Sequence, residues 1–155
     1  MTTHPATAEA LNCQRYIMPI KPENKARYPA NWKQIRAQVL ERAQHKCEQC
    51  GVANRARIVR GTGPDADTYM THDAEVYDAD TGEYLGLRRM SDYHCNGNVT
   101  DIVLTIAHLD HQPENCVLEN LRAWCQRCHL RYDARHHAAN AAATRRARKA
   151  IAELF

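Results

Sequence analysis

At 155 residues the chain has the length of a single domain, and with one Phe and two Trp it can bury only a lean core. No apolar run approaches the roughly 18 residues a membrane span needs, and the amino terminus lacks a charged-then-apolar signal pattern, so membrane spanning and export are not expected and the cytoplasm is. The formal net charge of +3 says little about partners, but its distribution says more: from His129 onward six basic residues face two acidic ones.

Residues 1–30 hold four of the six prolines, Pro5, Pro19, Pro22 and Pro29, and no sustained hydrophobic period, so they read as an extended arm outside the folded domain. Asn31 is a good N-cap residue, and Trp32, Ile35, Val39 and Ala43 follow at helical spacing. A helix is therefore predicted from Asn31 to His45, delivering the chain to Cys47. Residues 51–100 alternate turn chemistry with short strand-like pieces, clearest at Glu75 to Tyr77 and Tyr84 to Leu87 around Asp-Ala-Asp-Thr-Gly. That pattern predicts an insertion bearing a hairpin.

Asp101 to Ala107 is rich in β-branched residues and follows Asn96-Gly97-Asn98, which predicts a buried strand ending at His108. A loop through Pro113 and Asn115 comes next. From about Asn120 a long helix is predicted to pass Cys125 and Cys128 and to continue into a basic, Ala-rich tail over 134–155, with His136 to Asn140 as the place where it would break. The fold class is thus α+β, with one domain over 31–155.

Four of the seven cysteines form two C-x-x-C pairs, Cys47/Cys50 and Cys125/Cys128. In a reducing compartment such pairs point to metal, not to disulfides. Tetrahedral zinc takes four thiolates, so one structural Zn²⁺ held by all four is expected, with Gly51 letting the backbone turn beneath it. A redox C-x-x-C would want a βαβ setting and no second pair. With every coordination position filled, this zinc is scaffold and its binding free energy becomes folding free energy. Cys13, Cys95 and Cys116 have no evident partner.

Three segments carry chemistry together that none carries alone: Ile106-Ala-His-Leu-Asp-His111, Glu119-Asn-Leu121 and Trp124-Cys-Gln-Arg-Cys-His129. His108, Asn120 and His129 follow one another at spacings of twelve and nine residues. The set resembles the HNH endonuclease family, in a variant where C-x-x-C-H brings a structural zinc, and the resemblance covers Cys47 to about Asp133 around the insertion. It implies a small ββα-metal core and metal-dependent hydrolysis of phosphodiester bonds in double-stranded DNA, in a setting such as a phage or prophage.

By the same resemblance His108 is the general base that activates water, Asn120 holds its ring, and His129 ligates a catalytic divalent ion, Mg²⁺, Mn²⁺ or a transition ion. Hydrolysis needs such a base and such a cation. Asp133, one helical turn beyond His129, can share that metal, and His136 is a weaker candidate. Many members carry Asp or His immediately before the base, where this chain has Ala107. Asp110 substitutes if the chain stays extended. Alternatively the register slips, Asp110 and His111 form the pair, and His108 becomes a ligand or a bystander; the distance to Asn120 favours His108.

The basic tail, through Arg145, Arg146, Arg148 and Lys149, offers charge to DNA phosphates, with His136 and His137 beside it. Sequence preference, if any, falls to Arg55, Arg57, Arg60, Arg88 and Arg89 in the insertion. The competing expectation is a non-catalytic, zinc-stabilised DNA-binding or assembly module whose site degenerated at Ala107. A ribonucleolytic or toxin-like role on the same site is a third.

Overall fold

The computed structural model describes residues 22–152. The readings of Cys13, of the last three residues of the basic tail and of most of the proline-bearing arm lie outside them. A short helix α1 (Pro22–Lys25) precedes α2 (Trp32–Arg42). Asn31 starts α2 with its carbonyl, which accepts from Gln34 and Ile35 at 2.9 and 3.2 Å, and not with its side chain. The helix ends three residues before the predicted His45. Gln44 and His45 turn left-handed, at φ 51° and 54°, and the His45 N–H closes back on the Leu40 carbonyl at 2.8 Å.

The insertion is a five-stranded antiparallel sheet in the order β4-β3-β2-β1-β5, from β1 (Arg57–Gly61), β2 (Thr68–Met70), β3 (Glu75–Asp78), β4 (Tyr84–Leu87) and β5 (Cys95–Asp101). The predicted hairpin is β3 and β4, with Glu75 opposite Leu87 and Tyr77 opposite Tyr84. Two of the arginines considered for base contact are engaged within this sheet. Arg57 bonds Asp101 at 2.8 Å, and Arg88 bonds the buried Asp65 at 2.5 Å.

Two predicted boundaries move. The strand expected over 101–107 is split: β5 ends at Asp101, and a separate strand β6 (Thr105–His108) begins after three residues whose N–H groups bond outside any ladder. Ile102 donates to the Ala56 carbonyl, Val103 to the Gln126 amide and Leu104 to the Asn54 side chain. The helix expected from about Asn120 starts later. A single 3₁₀ turn (Leu118–Asn120) leads into strand β7 (Leu121–Trp124), and only then does α3 (Gln126–Ala152) begin, running unbroken through His136 to Asn140, the stretch considered for a break. β7 exists because Leu121, Ala123 and Trp124 are buried and pair antiparallel with β6, His108 opposite Leu121 and Thr105 opposite Trp124. Tertiary pairing outweighs local helix propensity here.

The result is a strand, strand, helix unit, β6-β7-α3, with α2 against it and the insertion sheet alongside. Val39 and Leu40 of α2 pack into one core with Ile58, Ile102, Leu104, Ala107, Leu121, Ala123 and the four paired cysteines. Arg42 locks α2 to this unit: its guanidinium donates to the Leu118 and Leu121 carbonyls at 2.8 and 2.7 Å and to the Glu48 carboxylate at 3.0 Å. No described helix is long and apolar enough to cross a membrane.

Candidate metal centres

Cys47 and Cys50 lie on a tight loop between α2 and β1. The Cys47 N–H bonds the Val52 carbonyl and the Gly51 N–H the Cys47 carbonyl, both at 2.9 Å, with Gly51 at φ 68°. Cys125 follows β7 directly, and Cys128 sits in the first turn of α3. The two loops are stitched together by Glu48, whose N–H reaches the Ala123 carbonyl at 2.9 Å and whose carboxylate receives the Ala123 N–H.

This stitching brings all four sulfurs within 4.8 Å of one another, in a pocket where no cysteine is more than 7% exposed. Four sulfurs 2.3 Å from a tetrahedral ion stand about 3.8 Å apart. Cys50 and Cys125 are separated by 3.7 Å. So tight a group cannot keep four ordinary thiols: hydrogen bonds among the sulfurs hold Cys47 and Cys125 below the usual thiol value and push Cys50 and Cys128 above it. The cluster can bind a metal ion, and the donor chemistry suits structural zinc.

The residues considered for catalysis divide into two places. His108, at the end of β6, is 9% exposed. Its ring stacks on Trp32 at 5.5 Å, meets Tyr28 edge-on at 5.8 Å, and turns Nε2 to the Cys116 sulfur at 3.7 Å. Burial pushes its pKa below the ordinary value, which keeps the ring neutral. Asn120 bonds the loop and not the His108 ring. Its amide donates to Asp110 Oδ1 at 2.9 Å and to the Asn115 carbonyl at 2.8 Å, and its oxygen accepts the Asp110 N–H at 3.2 Å.

Asp110, considered as a metal ligand beside His129, sits in the loop after β6 with its carboxylate engaged there. The extended chain that would have aimed it at His129 stops at His108, because the His111 N–H turns back to the His108 carbonyl at 3.1 Å. Its carboxylate is taken up by the Gln112 N–H, Asn120 and Asn115, which together hold its pKa down at about 2. Among the described residues, the cysteines are the only group whose ligand atoms all fall within 4.8 Å of one another.

On the other face of β6 a second group forms. His129 Nε2 lies 3.2 Å from Asp133 Oδ2, the pairing across one helical turn expected from their spacing. His111 brings Nδ1 to 3.3 Å from Asp133 Oδ1, and His137 brings Nε2 to 3.8 Å from Oδ2. The His136 ring stacks on His111 at 4.2 Å, and the Tyr132 hydroxyl ties α3 to the loop by bonding the Leu109 carbonyl at 2.6 Å. Burial lowers the pKa of His129 while Asp133 opposes that shift.

Two contributors to this group were not legible as such. His137 lies four residues beyond Asp133, a helical spacing that signals contact once Asp133 is taken as the centre. Thr105, whose hydroxyl stands 2.8 Å from His129 Nδ1, shares a strand face with Ala107. Comparison with protein-family models, with curated proteins and with solved structures finds no match.

Proposed function

We propose that this chain is a metal-dependent endonuclease of the HNH type that hydrolyses phosphodiester bonds of double-stranded DNA. The observation that carries the reading is the β6-β7-α3 unit itself, in which α3 carries His129 and Asp133 to the loop between the two strands, with the cysteine cluster pinning its first turn. The motif resemblance of His108, Asn120 and His129 supports the same reading.

His129 and Asp133 would hold a divalent ion, which would supply positive charge for the phosphate and the leaving oxygen. The chain's own residues do the rest. His108, neutral through burial, is the proton acceptor for the attacking water, and Asn120 fixes the loop that separates it from His111. Arg135, Arg145, Arg146 and Arg148 lie exposed along α3 and neutralise DNA phosphates. Ala107 favours a second reading, a DNA-binding or assembly module without catalysis, because it stands where many of the resembled enzymes carry a ligand.

Incubation with supercoiled plasmid and Mg²⁺, Mn²⁺, Zn²⁺ or Co²⁺, against EDTA, separates the two. Nicked or linear DNA with at least one ion and none with EDTA is expected; no cleavage with any ion leaves the binding module. In the same assay His108→Ala is expected to lower the rate by about 10²-fold or more, as loss of a general base does, with DNA affinity kept. If His111→Ala abolishes turnover and His108→Ala does not, the base lies at the other histidine.

A further inference from the structure

Of the large hydrophobic side chains exposed among the described residues, four stand together on β4 and in the turn after it: Tyr84 at 51%, Leu85 at 48%, Leu87 at 69% and Met90 at 54%. β4 is also an edge strand, last in the order of its sheet, so one side of its backbone has no described strand to pair with. The Arg88 N–H bonds the Ala74 carbonyl at 2.9 Å, on the β3 side. Backbone groups alternate in direction along a strand, so the N–H and carbonyl of Leu87 point outward. Folded proteins commonly guard such an edge with proline or with charge inside the strand. Tyr84 to Leu87 carries neither.

The bulge that β4 does carry builds an apolar surface at this edge. Tyr84 pairs with Tyr77 and Leu87 with Glu75, and the register shifts between those pairs. Opposed residues share a face of the sheet, so the bulge brings Tyr84 and Leu87 onto one face although they are three residues apart and a regular strand would send them to opposite faces. Tyr69, Tyr77 and Tyr84 form a row on that face, with successive ring centroids 5.3 and 5.4 Å apart. The row begins in the main core, where the Tyr69 hydroxyl donates to the Cys50 carbonyl at 3.3 Å, and it ends uncovered at Tyr84.

We infer that β4 is a homodimer interface: two copies of this chain pair β4 with β4, antiparallel about a two-fold axis, and join their five-stranded sheets into one. Charge complementarity selects a second copy as the occupant. Glu83 stands just before the strand and Arg89 just after it; both are exposed, and neither side chain has an ion pair or hydrogen bond within the described residues. Antiparallel pairing centred on Gly86 sets Glu83 of each copy opposite Arg89 of the other and Leu85 opposite Leu87, and the symmetry makes each contact twice. Parallel pairing would set like charges against each other at both ends. Gly86, on the axis, has φ 109°, and a Cβ there would meet nothing within 4 Å, which leaves room where the two backbones come closest. The opposite edge, β5, offers no such surface: Val99 is its one exposed large hydrophobic among the described residues, between Asn98 and Thr100. So short a strand buries less than the roughly 1,200 Å² of a standard interface, which places the association in the micromolar range. The inference is independent of the endonuclease reading, since it concerns how copies associate whether or not they cut DNA.

Sedimentation velocity of the full chain, with Zn²⁺ and a reductant present, tests this over about 1 to about 100 μM protein. A monomer–dimer equilibrium that stops at two copies is expected. Leu87→Lys, at a side chain already exposed, should weaken it by about tenfold or more, with far-UV circular dichroism and thermal midpoint matching the parent. Glu83→Arg and Arg89→Glu, each alone, put like charges face to face twice per dimer and should weaken it by about fivefold or more. An equimolar mixture of those two single variants restores both opposite-charge pairs, and so does the double variant, so both should associate as the parent does. A parent that stays monomeric throughout, growth beyond two copies, a dimer that survives Leu87→Lys and both charge reversals, or single variants that associate no better mixed than alone overturns the inference.

Discussion

At the scale of the residue, His108 is a buried titratable group among the residues proposed for catalysis. Packed on Trp32 and Tyr28, it is pushed towards neutrality by burial, against the weaker opposing pull of Asp110 and Glu114. Its folded pKa lies below the ordinary value of 6.5, so in the window between them the unfolded chain binds the extra proton. Its contribution to stability is complete above that ordinary value and is lost as the pH falls through the depressed one, at no more than about 1.4 kcal/mol per pH unit for one group. His108→Phe keeps a ring between Trp32 and Tyr28 and removes the proton. Thermal midpoints measured from about pH 7 down to about pH 5 should fall less steeply in His108→Phe than in the parent; equal slopes would show that this ring does not control acid sensitivity.

At the scale of the element, the turn between β3 and β4 does more than reverse the chain. Gly82, at φ 77°, lies so close to the first cysteine loop that a Cβ there would come 2.7 Å from the Cys50 carbonyl oxygen and 2.8 Å from its carbon. Both are backbone atoms and cannot swing aside. Asp80 in the same turn binds Arg127 and Arg131 on α3, so the hairpin clamps the cysteine loop and the helix at once. Gly82→Ala is therefore expected to lower stability by on the order of 2 kcal/mol or more, through the left-handed backbone and the clash together. It should also speed zinc loss to a chelator; an unchanged midpoint and release rate would mean that the turn and the cysteine loop are not coupled.

The same turn marks where the sequence is readable. Asp-Ala-Asp-Thr-Gly between two alternating runs announces a hairpin because local chemistry decides it, as the Asp78 carboxylate does in accepting the Asp80 and Thr81 N–H groups. The cysteine cluster was equally legible, since four thiolates at such spacing have one common use. β7 was not. Leu121 to Trp124 is four residues beside a strongly helical stretch, and only pairing with β6 makes it a strand. Nor was the placement of Asp110, because a single backbone turn at His111 decides which side chains meet, and no periodicity reports it.

At the scale of the whole molecule, the cysteine cluster joins what the sequence separates. Cys47 and Cys50 belong to the α2 end of the domain and Cys125 and Cys128 to the start of α3, with the whole five-stranded sheet lying between them in the chain. All four sulfurs lie inside the main core, where Val39, Ile58, Leu104 and Leu121 pack around them, so that core cannot close without them. The sheet's separate cluster, Met70, Val76 and Tyr93, is too small to hold five strands on its own. Metal removal should thus unfold helix and sheet together instead of freeing one from the other. Structural zinc in small domains binds with roughly 10 to 16 kcal/mol of apparent free energy, comparable to the entire stability of a small domain, and a metal held by these four cysteines would contribute on that scale. Treatment with a zinc chelator under reducing conditions should give a single loss of far-UV circular dichroism, parallel to zinc release and reversed by added Zn²⁺. Cys125→Ser should reproduce the loss without chelator. Full zinc release with the spectrum and the thermal midpoint unchanged would mean that the apolar core alone carries the fold, and that the four cysteines are passengers in it.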